Sequence, residues 1–131
     1  MARQEKNDDR TRVQVPARTA KKIPSRYRAS IVIVEGHAEG MEYPIEKPVT
    51  VLGRDKSADI MIKDPLISRQ HAAILYDDNQ FNLKDLGSTN GTHVRSRQIE
   101  KVRIRHRDTF RMGNTVIQFI LEETSGIRVY E

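Results

Sequence analysis

The sequence predicts an all-β fold, a sandwich or a barrel, from three observations. From Ser30 onward the chain consists of short runs rich in β-branched and aromatic residues, the first being SIVIVEG and the last TVIQFIL. Turn-forming pairs such as Asn90-Gly91 and Gly113-Asn114 separate these runs. No run between residues 30 and 121 has the periodicity of a long amphipathic helix. Roughly ten closely spaced strands are therefore expected, as in sandwiches and barrels.

The predicted strands follow one another along the chain in a simple order. They are the runs SIVIVEG, MEYPI, VTVLGR, ADIMI, HAAILY, QFNLKD, THV, VRI, TFRM and TVIQFIL. β-Branched and aromatic side chains suit a pleated, half-buried surface, and the glycines and Asp77-Asp78-Asn79 between the runs allow the chain to reverse. We therefore assign the folded domain to residues 29–123 and a C-terminal extension or linker to residues 124–131.

Residues 1–28 form a predicted basic tail. They contain nine Lys/Arg and three Asp/Glu, include Pro16 and Pro24, and lack hydrophobic periodicity. Such a segment cannot bury enough apolar surface to offset its ordering entropy, so disorder is expected. The net charge of +5 belongs to this tail, because residues 29–131 contain 14 basic and 15 acidic residues.

Length and composition limit the class of protein. A chain of 131 residues is enough for one domain. The start MARQEKNDDR lacks the apolar stretch of a signal peptide, so we predict a cytoplasmic protein with no membrane partner. The absence of cysteine excludes disulfides, thiol nucleophiles and thiolate metal sites, and we expect no cofactor.

The stretch LISRQHAAIL invites a catalytic interpretation because Ser68 lies near His71. If the chain is extended there, the two residues are ~10 Å apart at about 3.3 Å per residue. A nucleophile and its base need about 3 Å, and no G-x-S-x-G motif surrounds Ser68. We therefore predict no enzymatic activity. A metal site is also not expected, because no ligand spacing relates His37, His71, His93 and His106.

Polar residues suited to anion binding fall instead on three predicted inter-strand loops. Arg54 ends the run VTVLGR, Ser68 and Arg69 precede HAAILY, and residues 88–92 (STNGT) follow FNLKD. Guanidinium groups match phosphate oxygens, and a hydroxyl can complete the shell. The amide of Asn90 can pair with a peptide backbone. Each feature alone is typical of an ordinary turn, but their joint order favours a binding site.

That order is GR, then SRxH, then LGSTNGT, then GNTVIQF, and it resembles the forkhead-associated (FHA) domain family over roughly residues 30–121. The resemblance implies an eleven-stranded β-sandwich whose loops at one end bind phosphothreonine peptides without catalysis.

The resemblance also assigns roles to residues. It implies that Arg54 and Ser68 contact the phosphate and that Arg69 is a further contact. Thr89 would line the position of the phosphothreonine methyl group, and Asn90 would hold the peptide backbone. The residues implied to shape the loops are Gly53, His71 and Gly91.

Two segments depart from the family pattern. Residues 94–97 read VRSR where the family often has V-N-G, which predicts a different turn. Arg107 stands before Asp108 where the family usually has glycine, which predicts a different backbone unless the local φ is negative.

Leu66 occupies a position that can help read the third residue after the phosphothreonine, and because it is uncharged we expect no requirement for an acidic residue there.

The tail contains two candidate phosphorylation sites, Thr11 in DDRTRVQ and Thr19 in PARTAKK, both flanked by basic residues that many Ser/Thr kinases read. A phosphorylated tail is a candidate ligand of its own domain. The tail would have to cross a domain about 25 to 30 Å wide, and about ten residues after Thr19 reach at most ~33 Å. The longer linker after Thr11 favours that site. The alternative is a solvated basic leader, or one that meets an acidic partner.

We therefore predict a phosphothreonine-dependent protein–protein interaction module in Ser/Thr kinase signalling. Its predicted partners are a phosphothreonine-containing protein or its own tail, and the kinase. Regulation of a domain fused beyond Glu131 is compatible with this prediction.

The alternative is a small basic nucleic-acid-binding protein. Alternation over residues 101–107 would place cations on one outward face, an arrangement that also protects an edge strand. Against this alternative, the aromatic residues are scattered and the domain outside the tail is not basic. The cationic cluster consists of Arg95, Arg97, Lys101, Arg103, Arg105, Arg107 and Arg111.

Overall fold

The computed structural model describes residues 22–124, which form eleven β-strands. They are β1 (Tyr27–Glu35), β2 (Glu42–Ile45), β3 (Val49–Gly53), β4 (Ile60–Met61), β5 (Ala72–Asp77), β6 (Gln80–Asp85), β7 (Thr92–Val94), β8 (Arg97–Ile99), β9 (Lys101–Ile104), β10 (Thr109–Met112) and β11 (Thr115–Glu123). The all-β prediction is confirmed. A membrane-spanning helix is not found in this part of the chain.

The strands form two sheets packed as a sandwich. One sheet has five strands in the order β9-β6-β5-β3-β4, and the other has six in the order β2-β1-β11-β10-β7-β8. Neighbouring strands pair antiparallel, except that β3 and β4 are parallel. The predicted eleven-stranded sandwich is therefore confirmed.

Alternation along the two longest strands shows how the sequence forms the core. Ile31 and Ile33 of β1 pair with Phe119 and Ile117 of β11, and all four side chains are at most 1% exposed. The intervening residues, such as Gln118, are only partly buried and lie on the other face. Burying each of these apolar side chains contributes about 1.5–3 kcal/mol, so the two strands form a rigid frame for the loops at their ends.

The loops that carry the predicted site lie at one end of the sandwich. β3 ends and β5 begins side by side, since Leu52 pairs with Ala72, and Ala72 also pairs with the last residue of β6, Asp85. The described chain ends lie at the opposite end, where the N–H of Thr124 donates to the carbonyl of Arg26 at 2.7 Å. Nine residues of β1 separate the two ends, a span of about 30 Å.

The predicted boundary after residue 28 falls inside β1, which begins at Tyr27. Tyr27 and Ile23 pack against the core, because they supply apolar surface that covers one end of it. The predicted disorder of residues 1–21, the candidate sites Thr11 and Thr19, and residues 125–131 of the predicted extension lie outside the described residues.

The turn predicted to differ from the family pattern joins β7 to β8. Val94 of β7 pairs with Arg97 of β8, which leaves a two-residue turn in which Arg95 has φ 51° and Ser96 has φ 69°. Positive φ at both positions is the type I′ geometry that Asn-Gly favours. Arg107 likewise has φ 77°. Both turns therefore hold non-glycine residues at positive φ.

Candidate functional site

The first loop of the site is the β3–β4 loop, residues 54–59, which begins with Arg54. The backbone N–H of Arg54 donates to the carbonyl of Ser68 at 3.0 Å, and its side-chain Nε donates to the carbonyl of Ile67 at 2.8 Å. Arg54 is exposed, and no residue between 22 and 124 forms a hydrogen bond with its terminal nitrogens. The guanidinium group is therefore held beside Ser68 with donors open to a ligand.

Ser68 lies in the β4–β5 loop, residues 62–71, and contacts the third loop, β6–β7, residues 86–91. Its Oγ accepts a hydrogen bond from the N–H of Thr89 at 3.0 Å, which leaves the hydroxyl hydrogen free to donate to an anion. The Nδ2 of Asn90 donates to the carbonyl of Leu66 at 2.9 Å. These hydrogen bonds and those of Arg54 bring all three predicted loops together.

A buried carboxylate holds the β4–β5 loop in place. Asp64 is 3% exposed, and it accepts hydrogen bonds from the N–H of Leu66 at 2.9 Å, the N–H of Asn114 at 2.8 Å and the hydroxyl of Thr115 at 2.7 Å. Burial alone would raise the pKa of Asp64, but the hydrogen bonds outweigh burial and the pKa lies below its ordinary value. Ile67, 1% exposed, anchors the same loop in the core.

A second carboxylate organises the β6–β7 loop. Asp85 accepts hydrogen bonds from the N–H groups of Gly87 and Ser88 at 2.9 and 3.0 Å, and from the hydroxyls of Ser88 and Thr92 at 2.6 and 2.7 Å. Burial acts to raise the pKa of Asp85, and the four hydrogen bonds lower it below its ordinary value. The loop is therefore preorganised by its own carboxylate.

His71 is fully buried and links the second loop to the third. Its Nδ1 accepts a hydrogen bond from the N–H of Ser68 at 3.0 Å, and its Nε2 lies 2.9 Å from the carbonyl of Gly91, to which it donates. Burial lowers the pKa of His71, which outweighs the opposite effect of the Gly91 hydrogen bond.

The expected separation of ~10 Å between Ser68 and His71 was wrong, because residues 68–71 turn instead of extending. This proximity does not make a catalytic pair. Both ring nitrogens of His71 are occupied by backbone groups, and the Ser68 contact is made by its N–H rather than its hydroxyl.

Two glycines permit the close approach of these loops. A Cβ at Gly53 would lie 1.9 Å from the carbonyl oxygen of Arg69, so only a hydrogen atom fits there. Gly91 has φ +86°, a left-handed conformation that glycine adopts readily. The rim of the site contains Arg69 and Thr89, both exposed.

Sequence reasoning missed Asp64 and Asp85 as residues that shape the site. Signals for both were present, because Asp64 precedes Pro65 and Asp85 lies two positions before Gly87. Aspartate in such positions commonly accepts hydrogen bonds from the backbone two residues on, as both residues do here.

The cationic cluster does not form one surface. Strand β9 ends at Ile104, so the predicted alternation over residues 101–107 covers Lys101 and Arg103 only. Arg111 lies on β10 in the other sheet, and Arg95 lies in the β7–β8 turn. Within residues 22–124 no group of three or more His, Asp or Glu could hold a metal ion.

Stability is expected to fall in two steps on acidification. The folded pKa of His71 lies below its ordinary value of 6.5, so the unfolded state binds more protons below that pH and stability falls there. The folded pKa values of Asp64 and Asp85 lie below the ordinary 3.8. Their contribution is therefore present above that value and is lost as the pH falls through the folded pKa values.

Unfolding temperatures measured from about pH 7.5 to 2 would show both steps. Asp64→Asn should reduce the lower step, because it removes one of the two depressed carboxyl groups. The upper step should persist and become larger, because the charge of Asp64 raises the pKa of His71 and its loss lowers that pKa further. An unfolding temperature that stays constant between about pH 7 and 5 would contradict the assignment of a buried, neutral His71.

The fold and its loops match known proteins. A model of the FHA domain family matches residues 50–113. The glycogen accumulation regulator GarA of Mycobacterium tuberculosis is 29% identical over 98 residues, which are 75% of this chain and 60% of GarA. This chain therefore spans about 60% of the length of that relative.

Two solved structures carry the same fold. The FHA domain of the CT664 protein from Chlamydia trachomatis is 30% identical with a TM-score of 0.67, over 71% of this chain and 96% of that one. EmbR of Mycobacterium tuberculosis, solved in complex with a low affinity phosphopeptide, is 28% identical with a TM-score of 0.67, over 73% of this chain and 25% of EmbR.

The region matched by the family includes all three loops of the site, from Arg54 to Gly91. The resemblance predicted from the sequence is confirmed. One further solved structure with this fold, 26% identical with a TM-score of 0.65, is described as an analysis of phosphothreonine-dependent FHA domain interactions. The chain belongs to the forkhead-associated domain family.

Proposed function

We propose that this domain binds phosphothreonine peptides across the β3–β4, β4–β5 and β6–β7 loops. The observation that carries the proposal is the convergence of Arg54 and Ser68, whose backbones are hydrogen-bonded at 3.0 Å. Arg54 presents free guanidinium donors, and Ser68 retains a hydroxyl hydrogen because its Oγ accepts from Thr89. Both suit the acceptor oxygens of a phosphate.

The remaining residues act on other parts of the peptide. Asn90 has used one amide hydrogen on the carbonyl of Leu66, so its second hydrogen and its Oδ1 remain to pair with peptide backbone. Thr89 borders the same space and would contact the threonine methyl group, while Arg69 adds positive charge at the rim. A phosphate ester brings about −1.5 to −2 charges, and two or three charge-assisted hydrogen bonds of ~1.5–3 kcal/mol each support micromolar affinity.

Calorimetry with three matched peptides tests this proposal. Phosphothreonine peptide should bind with micromolar affinity, phosphoserine peptide more weakly because it lacks the methyl group, and unphosphorylated peptide below detection. Equal affinity for the phosphorylated and plain peptides would refute phosphate recognition.

We also propose that the tail is a ligand of the domain once a Ser/Thr kinase phosphorylates it, at Thr11 in preference to Thr19. The tail joins the domain at the end opposite the loops, about 30 Å away along β1. Eight residues separate Thr19 from Tyr27 and reach at most ~26–29 Å, which is too short. Sixteen residues separate Thr11 from Tyr27 and reach up to ~53–58 Å, which is ample. A tethered ligand at millimolar effective concentration would saturate a micromolar site.

This self-binding would make the module a switch that excludes outside partners. GarA is described as a regulator, and we infer a regulatory role of this kind here, in which phosphorylation of the tail controls access to the loops.

Amide spectra of the phosphorylated full-length chain test the tail proposal. Resonances of residues 54, 68 and 90 should shift at all protein concentrations, and Thr11→Ala should prevent the shift while Thr19→Ala should not. Unchanged loop resonances in the phosphorylated monomer would refute self-binding without affecting phosphopeptide recognition in trans.

A further inference from the structure

A second polar groove lies on the outer face of the six-stranded sheet, away from the three loops. It encloses about 320 Å³ and is lined by Glu35, His93, Arg95, Ser96, Thr109 and Arg111. Strand pairing creates it, because Arg111 of β10 lies opposite His93 of β7 on one side and opposite Val116 of β11 on the other. We name it the lateral groove.

The lateral groove carries two arginines, Arg95 and Arg111, and only Arg95 forms an ion pair within the described residues. The side chain of Arg95 is 79% exposed, and its nearest carboxylate is that of Asp108 at 4.0 Å, beyond hydrogen-bond distance. Arg111 is exposed and forms no ion pair within residues 22–124. Glu35 is the one acidic side chain that lines the groove. Asp108 and Glu35 balance the two arginines in number, but Arg111 forms no ion pair within residues 22–124 and the exposed Arg95 is paired only weakly at 4.0 Å. Both guanidinium groups can therefore bind an anion, with hydroxyls available to complete its shell.

Three of the six described non-glycine residues with positive φ lie around the same groove. Arg95 and Ser96 have φ 51° and 69°, and Arg107, in the turn next to the Asp108 that faces Arg95, has φ 77°. Asparagine or glycine would occupy these positions at lower conformational cost. Strained residues that persist often mark functional sites. The left-handed turn here places the guanidinium group of Arg95 and the hydroxyl of Ser96 on the rim of the lateral groove.

The lateral groove lies close to the proposed phosphothreonine site. β7 runs from one to the other, so His93 follows Gly91 by two residues, about 7 Å, and Arg95 by four residues, about 13 Å. A peptide held at Thr89 and Asn90 would therefore reach the groove within a few residues of its phosphothreonine.

The tail has acidic residues at the matching spacing. Asp9, Asp8 and Glu5 precede Thr11 by two, three and six residues, or about 7, 10 and 20 Å when extended. We propose that the lateral groove binds the carboxylates of the segment preceding the phosphothreonine, which in this chain are Glu5, Asp8 and Asp9. This inference rests on the proposed recognition of phosphorylated Thr11. Duplex DNA fits less well, because the cationic residues of the described chain do not form one surface that could follow a row of phosphates.

Peptide binding to the full-length, unphosphorylated chain tests the groove. One peptide spans residues 3–17 with phosphothreonine at position 11, and the second carries in addition Glu5→Gln, Asp8→Asn and Asp9→Asn. Three proteins are compared by fluorescence anisotropy at low salt. They are the unmodified chain, the double variant R95N/R111Q, and the control R97Q/R103Q, which loses the same charge outside the groove.

The second peptide should bind the unmodified chain and the control about fivefold to tenfold more weakly than the first, as expected for two exposed ion pairs. In R95N/R111Q the two peptides should differ by less than about twofold. Asparagine suits the left-handed turn, so the fold of this variant should be retained, and unfolding temperatures check this.

Equal affinity of the two peptides for the unmodified chain would overturn the inference and leave phosphothreonine recognition intact. An equal loss of discrimination in R97Q/R103Q would also overturn it, because overall charge would then be responsible. Labelled duplex DNA is tested with the same three proteins. If R95N/R111Q alone loses DNA binding, and removal of the peptide carboxylates does not change peptide affinity, the groove would be assigned to nucleic acid and our inference refuted. No binding of either phosphopeptide to any protein would refute the proposed recognition of this tail together with the inference.

Discussion

Arg54→Ala and Ser68→Ala are each expected to weaken phosphothreonine-peptide binding by about 100-fold or more while leaving the domain folded. Charge-assisted hydrogen bonds contribute ~1.5–3 kcal/mol each, and each 1.4 kcal/mol is about tenfold in affinity. Arg54 can donate two such bonds from its terminal nitrogens, since its Nε is already committed to the carbonyl of Ile67. Ser68→Ala removes one donor to the phosphate and also the acceptor that positions the N–H of Thr89.

The matched control for Arg54 is Lys56→Ala, which removes a positive charge from the same β3–β4 loop at an exposed position. It should change the affinity by less than about threefold, since an exposed charge outside direct contact contributes little. Arg54→Lys tests whether charge alone is sufficient for binding. Lysine keeps the positive charge, but it cannot donate to the carbonyl of Ile67 and also offer a planar pair of donors to the phosphate. Calorimetry measures affinity and thermal unfolding checks the fold. Undiminished affinity of folded Arg54→Ala or Ser68→Ala would refute the assignment of that residue.

Gly53→Ala is expected to destabilise the domain by about 3 kcal/mol or more and to abolish phosphopeptide binding. The added Cβ would lie 1.9 Å from the carbonyl oxygen and 2.7 Å from the carbonyl carbon of Arg69. Both are backbone atoms in a segment held by hydrogen bonds from Arg54 to Ser68 at 3.0 Å and from Asp55 to Arg69 at 3.3 Å. The two backbone segments, at Gly53 and at Arg69, must therefore move apart, which breaks the contact between the β3–β4 and β4–β5 loops.

Gly40→Ala is the control for Gly53→Ala. Gly40 has φ +93° but nothing within 4 Å of its Cβ position, so alanine there meets conformational strain without a steric clash. A loss of about 1 kcal/mol is expected. Denaturant unfolding measures both variants. If Gly53→Ala is no less stable than Gly40→Ala, the close approach of β3 to the β4–β5 loop is not essential to the fold.

Much of the fold was predictable because strand formation depends on local pattern. The alternation of Ile31 and Ile33 with partly exposed residues identified β1, and the run TVIQFIL identified β11 in the same way. Strand β8, Arg97–Ile99, was missed by this reasoning because its residues are exposed or only partly buried, and it forms only by pairing with β7.

The hydrogen bonds within the site were less predictable than the residues that carry it. Ser68 and His71 were expected to lie far apart, yet the N–H of Ser68 donates to Nδ1 of His71. That bond exists because the loop turns around Asp64, whose partners Asn114 and Thr115 are about fifty residues distant in sequence. No pattern near residue 64 reveals them.

The backbone conformation at Arg107 also depends on contacts that are distant in sequence. A non-glycine side chain favours negative φ, but the N–H of Arg107 donates to the carbonyl of Phe119 at 2.7 Å and its φ is 77°. Pairing between strands outweighed the local preference of one residue.

Side-chain chemistry and periodicity, which are properties of neighbouring positions, were thus sufficient to identify ten of the eleven strands and the residues suited to hold a phosphate. The family was identified by the resemblance of motif order along the chain. The folded chain alone established that Arg54, Ser68 and Thr89 touch, that Asp64 and Asp85 hold the loops, and that the lateral groove exists. Each of those contacts joins segments distant in sequence, and their energies depend on burial and geometry that arise only when the two sheets pack together.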